Sequence, residues 1–172
     1  MLHDFKNKMS NKISFRRSVR SDLPVLEDIR QRAFTPVFSS FRKILGEKIY
    51  SLAQEPEDMQ QGQLLSDMFL SETVWQVYVA ELFGEVVGFV AIRLDSDSKV
   101  GEIGLNAVHP NHAGQGIGTQ MYSFATDVMR AGGMQVATVA TGGDPSHAPA
   151  RRAYQKSGFT VQIPSVWMCQ VL

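Results

Sequence analysis

The sequence predicts a single mixed α/β domain, in which helices flank a mostly antiparallel sheet that contains one parallel pair of strands. Apolar and polar residues alternate with a period of two from Trp75 to Val108, which indicates three consecutive antiparallel strands. A glycine-rich loop, an amphipathic helix and a buried strand at Met134–Ala140 follow, and such a crossover makes its two strands parallel. At 172 residues the chain has room for one domain, which we assign to residues 13–172, after a polar leader at residues 1–12.

The amino-terminal part of this domain predicts one strand and three helices. Ile13–Arg16 alternates apolar and polar residues, as a short strand does. The helices are predicted to run from a cap at Ser21 or Asp22 to Thr35–Pro36, from Ser40 to Ala53, and from Glu57 to Phe69. Proline separates them, because it lacks the N–H that a helix needs and clashes with the preceding turn. The first helix is therefore expected to end at Pro36, and a break is expected at Gln54–Pro56.

The remaining elements follow the same logic of periodicity and turn residues. The antiparallel strands are predicted at Trp75–Leu82, Val86–Leu94 and Val100–Val108. In the helix after the glycine loop one apolar stripe faces the sheet, formed by Ile117, Met121, Phe124 and Val128. A last helix is predicted at Ala148–Lys156, capped by Ser157–Gly158, and a hairpin-like segment at Phe159–Met168.

Composition excludes several broad classes of protein. The formal net charge is zero, which argues against nucleic-acid binding, where a basic face is usual. The charge is uneven, since residues 51–107 contain two Lys/Arg against ten Asp/Glu, and this acidic middle would favour a cationic acceptor if it faced the site. The single Cys169 fits a reducing compartment, and no run approaches the ~18 apolar residues of a membrane span. We therefore expect a cytoplasmic protein without nucleic-acid or membrane partners.

The glycine-rich loop at residues 113–118, A-G-Q-G-I-G, is a candidate anion site. Glycine permits close approach to the backbone, and the following helix offers unpaired N–H groups and the positive end of its dipole. The dinucleotide fingerprint fits poorly, because its glycine spacing is absent and antiparallel strands precede the loop. The Gly-Lys-Ser/Thr of a nucleotide-hydrolase phosphate loop is also absent. His109 and His112 are predicted to be loop histidines, since no third residue is spaced to complete a metal site.

A second motif, H-x-x-A-x-x-A-Y-Q-K-S-G-F, occupies residues 147–159. Together with V-x-P at residues 108–110 and the glycine loop, it resembles the GNAT superfamily of N-acetyltransferases that use acetyl-coenzyme A. The two blocks lie about 30 residues apart across a βαβ unit. The resemblance covers nearly everything from Ile13 onward in element order. It implies the GNAT fold, with a splayed parallel strand pair at the cofactor cleft.

The resemblance also implies which residues bind acetyl-CoA. The loop would hold the pyrophosphate without a lysine or a metal, and main chain at the end of the preceding strand would polarise the thioester carbonyl. The implied cofactor-binding residues are Asn106, Ala107, Val108, Ala113, Gly114, Gln115, Gly116, Ile117, Gly118, Thr119, His147 and Tyr154. Two of them depart from the family pattern: Ala113 stands where Arg or Gln is usual, and His147 stands where Asn is usual.

Direct acetyl transfer to an amine needs a general base for the ammonium and a general acid for the leaving thiolate. Tyr154 matches the family's acid position, and a phenol with a reference pKa of about 10 can protonate a thiolate. Glu102 matches a family branch with a glutamate base in this strand. Asp144 and a water chain are the alternatives, because the base position of other branches is occupied here by Gly142.

The predicted function is therefore direct, sequential transfer of an acetyl group from acetyl-CoA to a primary amine. The alternative is a non-catalytic acyl-CoA-binding or regulatory module on the same fold, and a dinucleotide-dependent reductase is a third hypothesis. The sequence carries no signature of the acceptor, so small-molecule and peptide amines stay open. A homodimer also stays open.

Overall fold

Five strands form one sheet in the computed structural model, which describes residues 13–172. Their bounds are Ser14–Arg17 (β1), Trp75–Leu82 (β2), Glu85–Asp95 (β3), Val100–Val108 (β4) and Val136–Val139 (β5). The spatial order is the same as the sequence order, with β1 to β4 antiparallel and β5 parallel to β4. The mixed sheet predicted from the period-two alternation and the crossover is confirmed. The predicted polar leader lies outside the described residues.

Four α-helices within the described residues cover the two faces of the sheet. They span Leu23–Ile49 (α1), Glu55–Asp67 (α2), Ile117–Ala131 (α3) and Ala148–Lys156 (α4). Short 3₁₀ turns at Arg20–Asp22, Pro110–His112 and Pro145–His147 precede α1, the glycine loop and α4 respectively. Among residues 13–172, no helix combines the length and the apolar character that crossing a membrane requires.

The sheet separates two apolar cores. On one face α3 and α4 pack against Ile92 and Ile103, and Met121 of α3 is fully buried there. On the other face α1 and α2 pack against Phe89 and its neighbours, with Leu26 of α1 fully buried. Each such large apolar side chain stabilises the fold by about 1.5–3 kcal/mol relative to exposure. A sheet covered on both faces holds the ends of its strands, and thus the loops after them, in fixed positions.

The sequence predicted that the first helix ends at Pro36, and this prediction is wrong. The helix continues to Ile49, and Pro36 lies inside it. The chain instead leaves helical geometry at Gly46, with φ 73° and ψ 161°, a conformation that is essentially restricted to glycine. Pro36 is tolerated because the loss of one N–H falls on a partly exposed turn, where Thr35 Oγ1 also donates to the carbonyl of Gln31 at 2.7 Å.

The predicted break at Gln54–Pro56 is also wrong. A π-helical turn at Tyr50–Gln54 leads directly into α2, and Pro56 occupies the first turn of that helix. Proline is acceptable there because the first N–H groups of a helix have no intrahelical partner in any case. The Tyr50 hydroxyl donates to Asp58 of α2 at 2.9 Å and holds the two segments together.

The carboxyl-terminal hairpin predicted at Phe159–Met168 is absent from the structure. Phe159 packs against Tyr154, with ring centroids 5.9 Å apart, but the residues after it form no strand. Pro164 removes a ladder donor from this segment. The apolar side chains of residues 161–172 are therefore largely exposed.

A β-bulge in β4 sets the direction of the side chains nearest the carboxyl end of that strand. Val90 of β3 pairs with Asn106, whereas Ile92 pairs with Ile103, so β4 has one extra residue between these pairs. The extra residue reverses the alternation, since a shift of one residue turns each side chain to the other face. As a result Asn106 faces the same side of the sheet as α3 and α4.

Candidate active site

A cavity of about 520 Å³ opens at the carboxyl end of β4. Pairing between β4 and β5 stops at Ile103 and Val139, so β4 continues without a partner on that side from Gly104 to Val108. The wall opposite consists of one face of α1 around Pro36. The glycine loop, the first turn of α3 and the start of α4 complete the lining. Its volume is in the range that binds a small molecule or a cofactor.

The glycine loop contains backbone conformations with positive φ, which glycine adopts far more easily than other residues. Gly114 and Gly116 have φ values of 76° and 78°, and no atom lies within 4 Å of the position where a Cβ would be. Gly116 is the N-cap of α3, so the free N–H groups of the first turn begin at Ile117. Backbone donors at the end of a helix dipole favour a phosphate.

The charges around the cavity also suit an anionic group. Arg152 and Lys156 of α4 line it, as does Arg32 of α1. Among the described residues that line it there is no aspartate or glutamate. A phosphate-bearing cofactor fits this donor set, because the cradle offers N–H groups, guanidinium and ammonium groups without a competing carboxylate.

Asn106 joins two tyrosines beside the cavity. Its Nδ2 donates to the Tyr154 hydroxyl at 3.0 Å and to the carbonyl of Gly104 at 2.8 Å. The Tyr122 hydroxyl donates to Asn106 Oδ1 at 2.8 Å. The two phenol rings are stacked, with centroids 4.1 Å apart. Asn106 is thereby locked, and it holds the Tyr154 oxygen in a fixed position.

Burial raises the pKa of both tyrosines above the ordinary value. For Tyr154 the neighbouring Tyr122 hydroxyl and the hydrogen bond from Asn106 oppose the effect of burial without cancelling it. For Tyr122 burial dominates, and the neighbouring Tyr154 raises the pKa further. Both phenols therefore keep their protons at neutral pH. Tyr122 lines the cavity, whereas Tyr154 lies directly behind Asn106 and is only 5% exposed.

Glu102 lies away from the cavity. It is on β4 before the bulge, opposite Arg93 of β3, and its carboxylate forms an ion pair with that guanidinium. The Glu102 side chain is 35% exposed and is not part of the lining. The structure thus does not bring the base predicted from the sequence together with Asn106 or the glycine loop.

Asp144 and His147 lie next to the cavity. His147 Nδ1 is 2.5 Å from Asp144 Oδ1, and the imidazole is part of the lining. The second carboxylate oxygen of Asp144 accepts from the backbone N–H of Ser146 at 2.9 Å, from the Ser146 hydroxyl, and from Ser40 Oγ of α1 at 3.2 Å. Phe41 of α1 stacks on the His147 ring at 5.7 Å.

Ten of the twelve residues predicted to bind the cofactor line the cavity, and Gln115 and Tyr154 do not. Tyr122 is a lining residue that the sequence did not predict, although it lies one turn after Gly118 on the face toward the last helix. The α1 wall at Arg32–Val37 was not predicted either, because the sequence places the end of that helix at Pro36. Predicting that wall requires knowing that α1 continues through Pro36, which the local sequence does not indicate.

The comparisons with known proteins agree with this geometry. The sequence matches the model of the Acetyltransferase (GNAT) family over residues 38–159. No curated protein is similar enough in sequence to count as a relative.

Several solved structures share the fold at low sequence identity. A GNAT-family protein from Desulfovibrio desulfuricans is 17% identical, with a TM-score of 0.65 over 88% of this chain and 87% of its own. A GNAT acetyltransferase from Brucella melitensis, solved with acetyl-CoA, is 18% identical, with a TM-score of 0.61 over 88% and 84%. The aminoglycoside acetyltransferase AAC(6')-Iy, solved with a bisubstrate analogue, is 12% identical, with a TM-score of 0.61 over 94% and 99%.

Proposed function

The chain belongs to the GNAT family of acetyltransferases, and we propose that it transfers the acetyl group of acetyl-CoA directly to a primary amine. The observation that carries this proposal is the joining of two features in one cavity. One is the glycine loop at the start of α3. The other is Asn106 and Tyr122 in the lining, with Tyr154 hydrogen-bonded to Asn106 directly behind it. The first suits a phosphate-bearing cofactor, and the second offers a fixed phenolic proton donor.

The residues present fit coenzyme A. The N–H groups after Gly116 would hold the pyrophosphate, with Arg152 and Lys156 available to the other phosphate oxygens. The unpaired end of β4 at Asn106–Val108 offers backbone groups to the pantetheine arm. Ala113, which replaces the usual Arg or Gln, leaves this backbone cradle intact. When bound, acetyl-CoA supplies an activated acetyl thioester.

Tyr154 is the proposed general acid. Its hydroxyl oxygen accepts from Asn106, so that bond does not use its own proton, which would pass to a departing sulfur that reaches the hydroxyl beside Asn106. The proton of Tyr122, by contrast, is donated to Asn106 Oδ1. Because burial raises the pKa of Tyr154, the donor form persists through the physiological range. Glu102 is not assigned a role in the proton path, since it pairs with Arg93 outside the cavity.

The acceptor side of the cavity favours amines that are not polycations. It combines the apolar residues of α1 with Arg32, and no carboxylate among the described residues lines it. Arg32 is itself paired with Asp28, and a polycationic acceptor would find no carboxylate in this lining to pair with its additional ammonium groups. We therefore expect α-amines of amino acids or peptides to be better acceptors than aminoglycosides or polyamines.

Release of free coenzyme A, measured with a thiol reagent, tests the proposal. The panel contains L-phenylalanine, L-lysine, a tripeptide with a free amino terminus, spermidine and kanamycin, each with acetyl-CoA. Turnover with any amine supports the transferase. Calorimetric binding of acetyl-CoA without turnover on any amine would instead favour the non-catalytic acyl-CoA-binding module. Fastest turnover with kanamycin would contradict the expected preference for α-amines over polycations, but not the proposed acetyl transfer itself.

We also propose that the chain forms a homodimer through its carboxyl-terminal segment. Residues 161–172 expose several large apolar side chains, and β5 is an edge strand of the described sheet. A second copy has the same unpaired edge and the same apolar segment. In a two-fold symmetric dimer, the segment of each copy would therefore cover the β5 edge of the other.

A further inference from the structure

The pair formed by Asp144 and His147 has the geometry of a carboxylate-oriented imidazole. The 2.5 Å contact joins Asp144 Oδ1 to His147 Nδ1. Both side chains are largely shielded, with 12% and 17% exposure, while the imidazole still lines the cavity. The two side chains therefore have little contact with solvent, while the His147 ring is accessible to a ligand in the cavity.

Asp144 is held as a carboxylate. Burial alone would raise its pKa, but hydrogen bonds from Ser146 and His147 lower the pKa to about 2. A carboxylate can only accept, so the contact requires that His147 Nδ1 carry a proton and donate it. In the neutral ring the lone pair is then on Nε2. The hydrogen-bond network thereby assigns the tautomer in which Nε2 is the proton acceptor.

Gly142 makes room for this arrangement. A Cβ at residue 142 would lie 2.5 Å from His147 Nδ1 and 2.7 Å from Asp144 Oδ1, which no real side chain tolerates. The imidazole and the carboxylate thus fill the space into which a side chain of residue 142 would extend. Arg151 fixes the same loop from α4, donating to the carbonyls of Gly142 at 2.5 Å and of Asp144 at 2.8 Å.

The charged and titratable groups that lie beside His147 or line the same cavity come from three elements. On α4 they are Arg151 and Arg152, together with Lys156 at the far end of the helix. From α1, Ser40 and Phe41 contact the pair and are uncharged, while Arg32 lines the same cavity. His112 lines it from the loop after β4. Asp144 opposes these cations, and it contacts the ring directly.

We propose that His147 is the general base of the acetyl transfer and that Asp144 is its positioning residue. This inference rests on the proposed function. The acceptor ammonium gives one proton to His147 Nε2, and the N–C bond forms as the C–S bond breaks. The second proton of the nitrogen leaves to solvent, while the thiolate takes the Tyr154 proton, which solvent replaces. One proton is released in each turnover, when His147 returns to its neutral form.

The substitution His147→Asn tests this role against a cofactor contact. Asn is the residue that the GNAT pattern has at this position, so the variant keeps an amide for coenzyme A but has no base. We expect kcat/KM for the best amine of the panel to fall about 10²–10⁴-fold. The calorimetric Kd for acetyl-CoA should stay within about threefold of the wild-type value. The acidic limb of the kcat/KM profile should disappear, because the variant has no basic group left to protonate.

Asp144→Asn tests the positioning role by a readout that does not depend on turnover. Histidine side-chain NMR, with the His147 signals identified by their absence in His147→Asn, reports which ring nitrogen is protonated. The wild-type ring should carry its proton on Nδ1, and Asp144→Asn should shift the tautomer and lower kcat/KM. His109→Asn is the matched control, since His109 caps the turn after β4 and is outside the cavity lining.

Three results would overturn the inference, and each is distinguishable. If His147→Asn retains kcat/KM and the acidic limb, another group is the base. If the loss of activity tracks a weaker Kd for acetyl-CoA, His147 is a cofactor contact. If the wild-type protein turns over no amine of the panel, the proposed function itself fails, and this is known before any variant is made.

Discussion

At the scale of single residues, the site depends on how Asn106 distributes its hydrogen bonds. Its two amide protons go to Gly104 and Tyr154, and its oxygen accepts from Tyr122. Two neighbouring phenols thus differ in the state of their protons, although their rings are stacked and both are buried. This difference assigns separate roles to the two tyrosines, with Tyr122 as a support and Tyr154 as a donor.

Tyr154→Phe is expected to lower kcat about 10²–10⁴-fold, because it removes the proposed acid and leaves the ring in place. The Kd for acetyl-CoA should not change. Tyr122→Phe is the matched variant, since it also removes one buried hydroxyl from the cluster, and we expect the smaller loss from it. Steady-state kinetics with the best panel amine measures both. Equal losses that follow a shared drop in Tm would show a structural role instead.

The pH dependence of this cluster has a definite sign. Because burial raises the pKa of Tyr154 in the folded protein above the unfolded value of about 10, the hydroxyl contributes to stability below pH 10. That contribution is lost as the pH rises through the folded pKa. The phenol of Tyr154 therefore keeps its proton at neutral pH.

The individual site residues differ in how far the sequence could predict them. The loop residues and Asn106 were accessible, because glycine spacing and the end of a strand are local patterns. The location of Glu102 was not, because it depends on the pairing with Arg93 and on the bulge after Ile103. A bulge reverses the alternation without changing the composition of the strand. The His147–Asp144 contact also needed the loop conformation.

At the scale of elements, α1 accounts for most of the difference between prediction and structure. Proline is a stop signal, so the sequence predicts the end of the helix at Pro36, yet tertiary contacts with β3 and β4 hold the helix through it, and Gly46 is the actual break. The extended helix provides one wall of the cavity and the contact of Ser40 with Asp144. Strands β2 to β4 were predicted well, because alternation over eight or more residues is a strong signal. The strand predicted as buried at Met134–Ala140 is shorter, and Val136 of β5 is 54% exposed.

The start of α1 is fastened to the sheet by an ion network. Arg16 of β1 donates to Asp22 at 2.7 Å and to Glu81 of β2 at 2.7 Å. The hydrogen bond from Arg16 is the main reason that the pKa of Asp22 is lowered to about 2. A lowered pKa contributes stability above the unfolded value of about 4, and that stability is lost as the pH falls through 2.

Asp22→Asn is therefore expected to lower Tm at pH 7, and its difference from the wild type should shrink as the pH falls toward 2. The physical reason is that a protonated Asp22 and the substituted asparagine both lack the charge that Arg16 pairs with. Thermal unfolding followed by circular dichroism at several pH values measures this. Asp127→Asn serves as the control, because the Asp127–Arg130 pair is about 70% exposed and should contribute little at either pH. A constant difference in Tm across pH would contradict the ion-pair account.

At the scale of the whole molecule, the acidic middle of the chain is directed away from the cavity. None of the ten carboxylates in residues 51–107 lines it. Several pair with arginines elsewhere, as Glu55 does with Arg42 and Glu81 does with Arg16. The lining is basic instead. Charge counted along the sequence could not predict this, because the fold decides which face a charged segment occupies.

The carboxyl-terminal segment is the other feature that belongs to the whole molecule. Val161 and Ile163 are each 93% exposed and Val166 is 88% exposed, a density of open apolar surface that a soluble monomer rarely carries. One side of β5 has no strand partner among the described residues. An extended apolar segment from a second copy can add to such an edge through main-chain hydrogen bonds, and its side chains are then removed from water.

A chain that stops after Thr160 is therefore expected to be monomeric, whereas the full chain should have about twice its mass of 19.1 kDa by light scattering. Phe159 and its contact with Tyr154 are retained, so the core should stay folded and Tm should fall little. Ile163→Asp combined with Val166→Asp keeps the length of the chain and should also give a monomer. Hydrogen exchange should show β5 amides protected in the full chain and faster in both variants. A full chain that stays monomeric at about 100 μM would exclude the dimer. In that case the carboxyl-terminal segment of one copy does not pair with the β5 edge of the other.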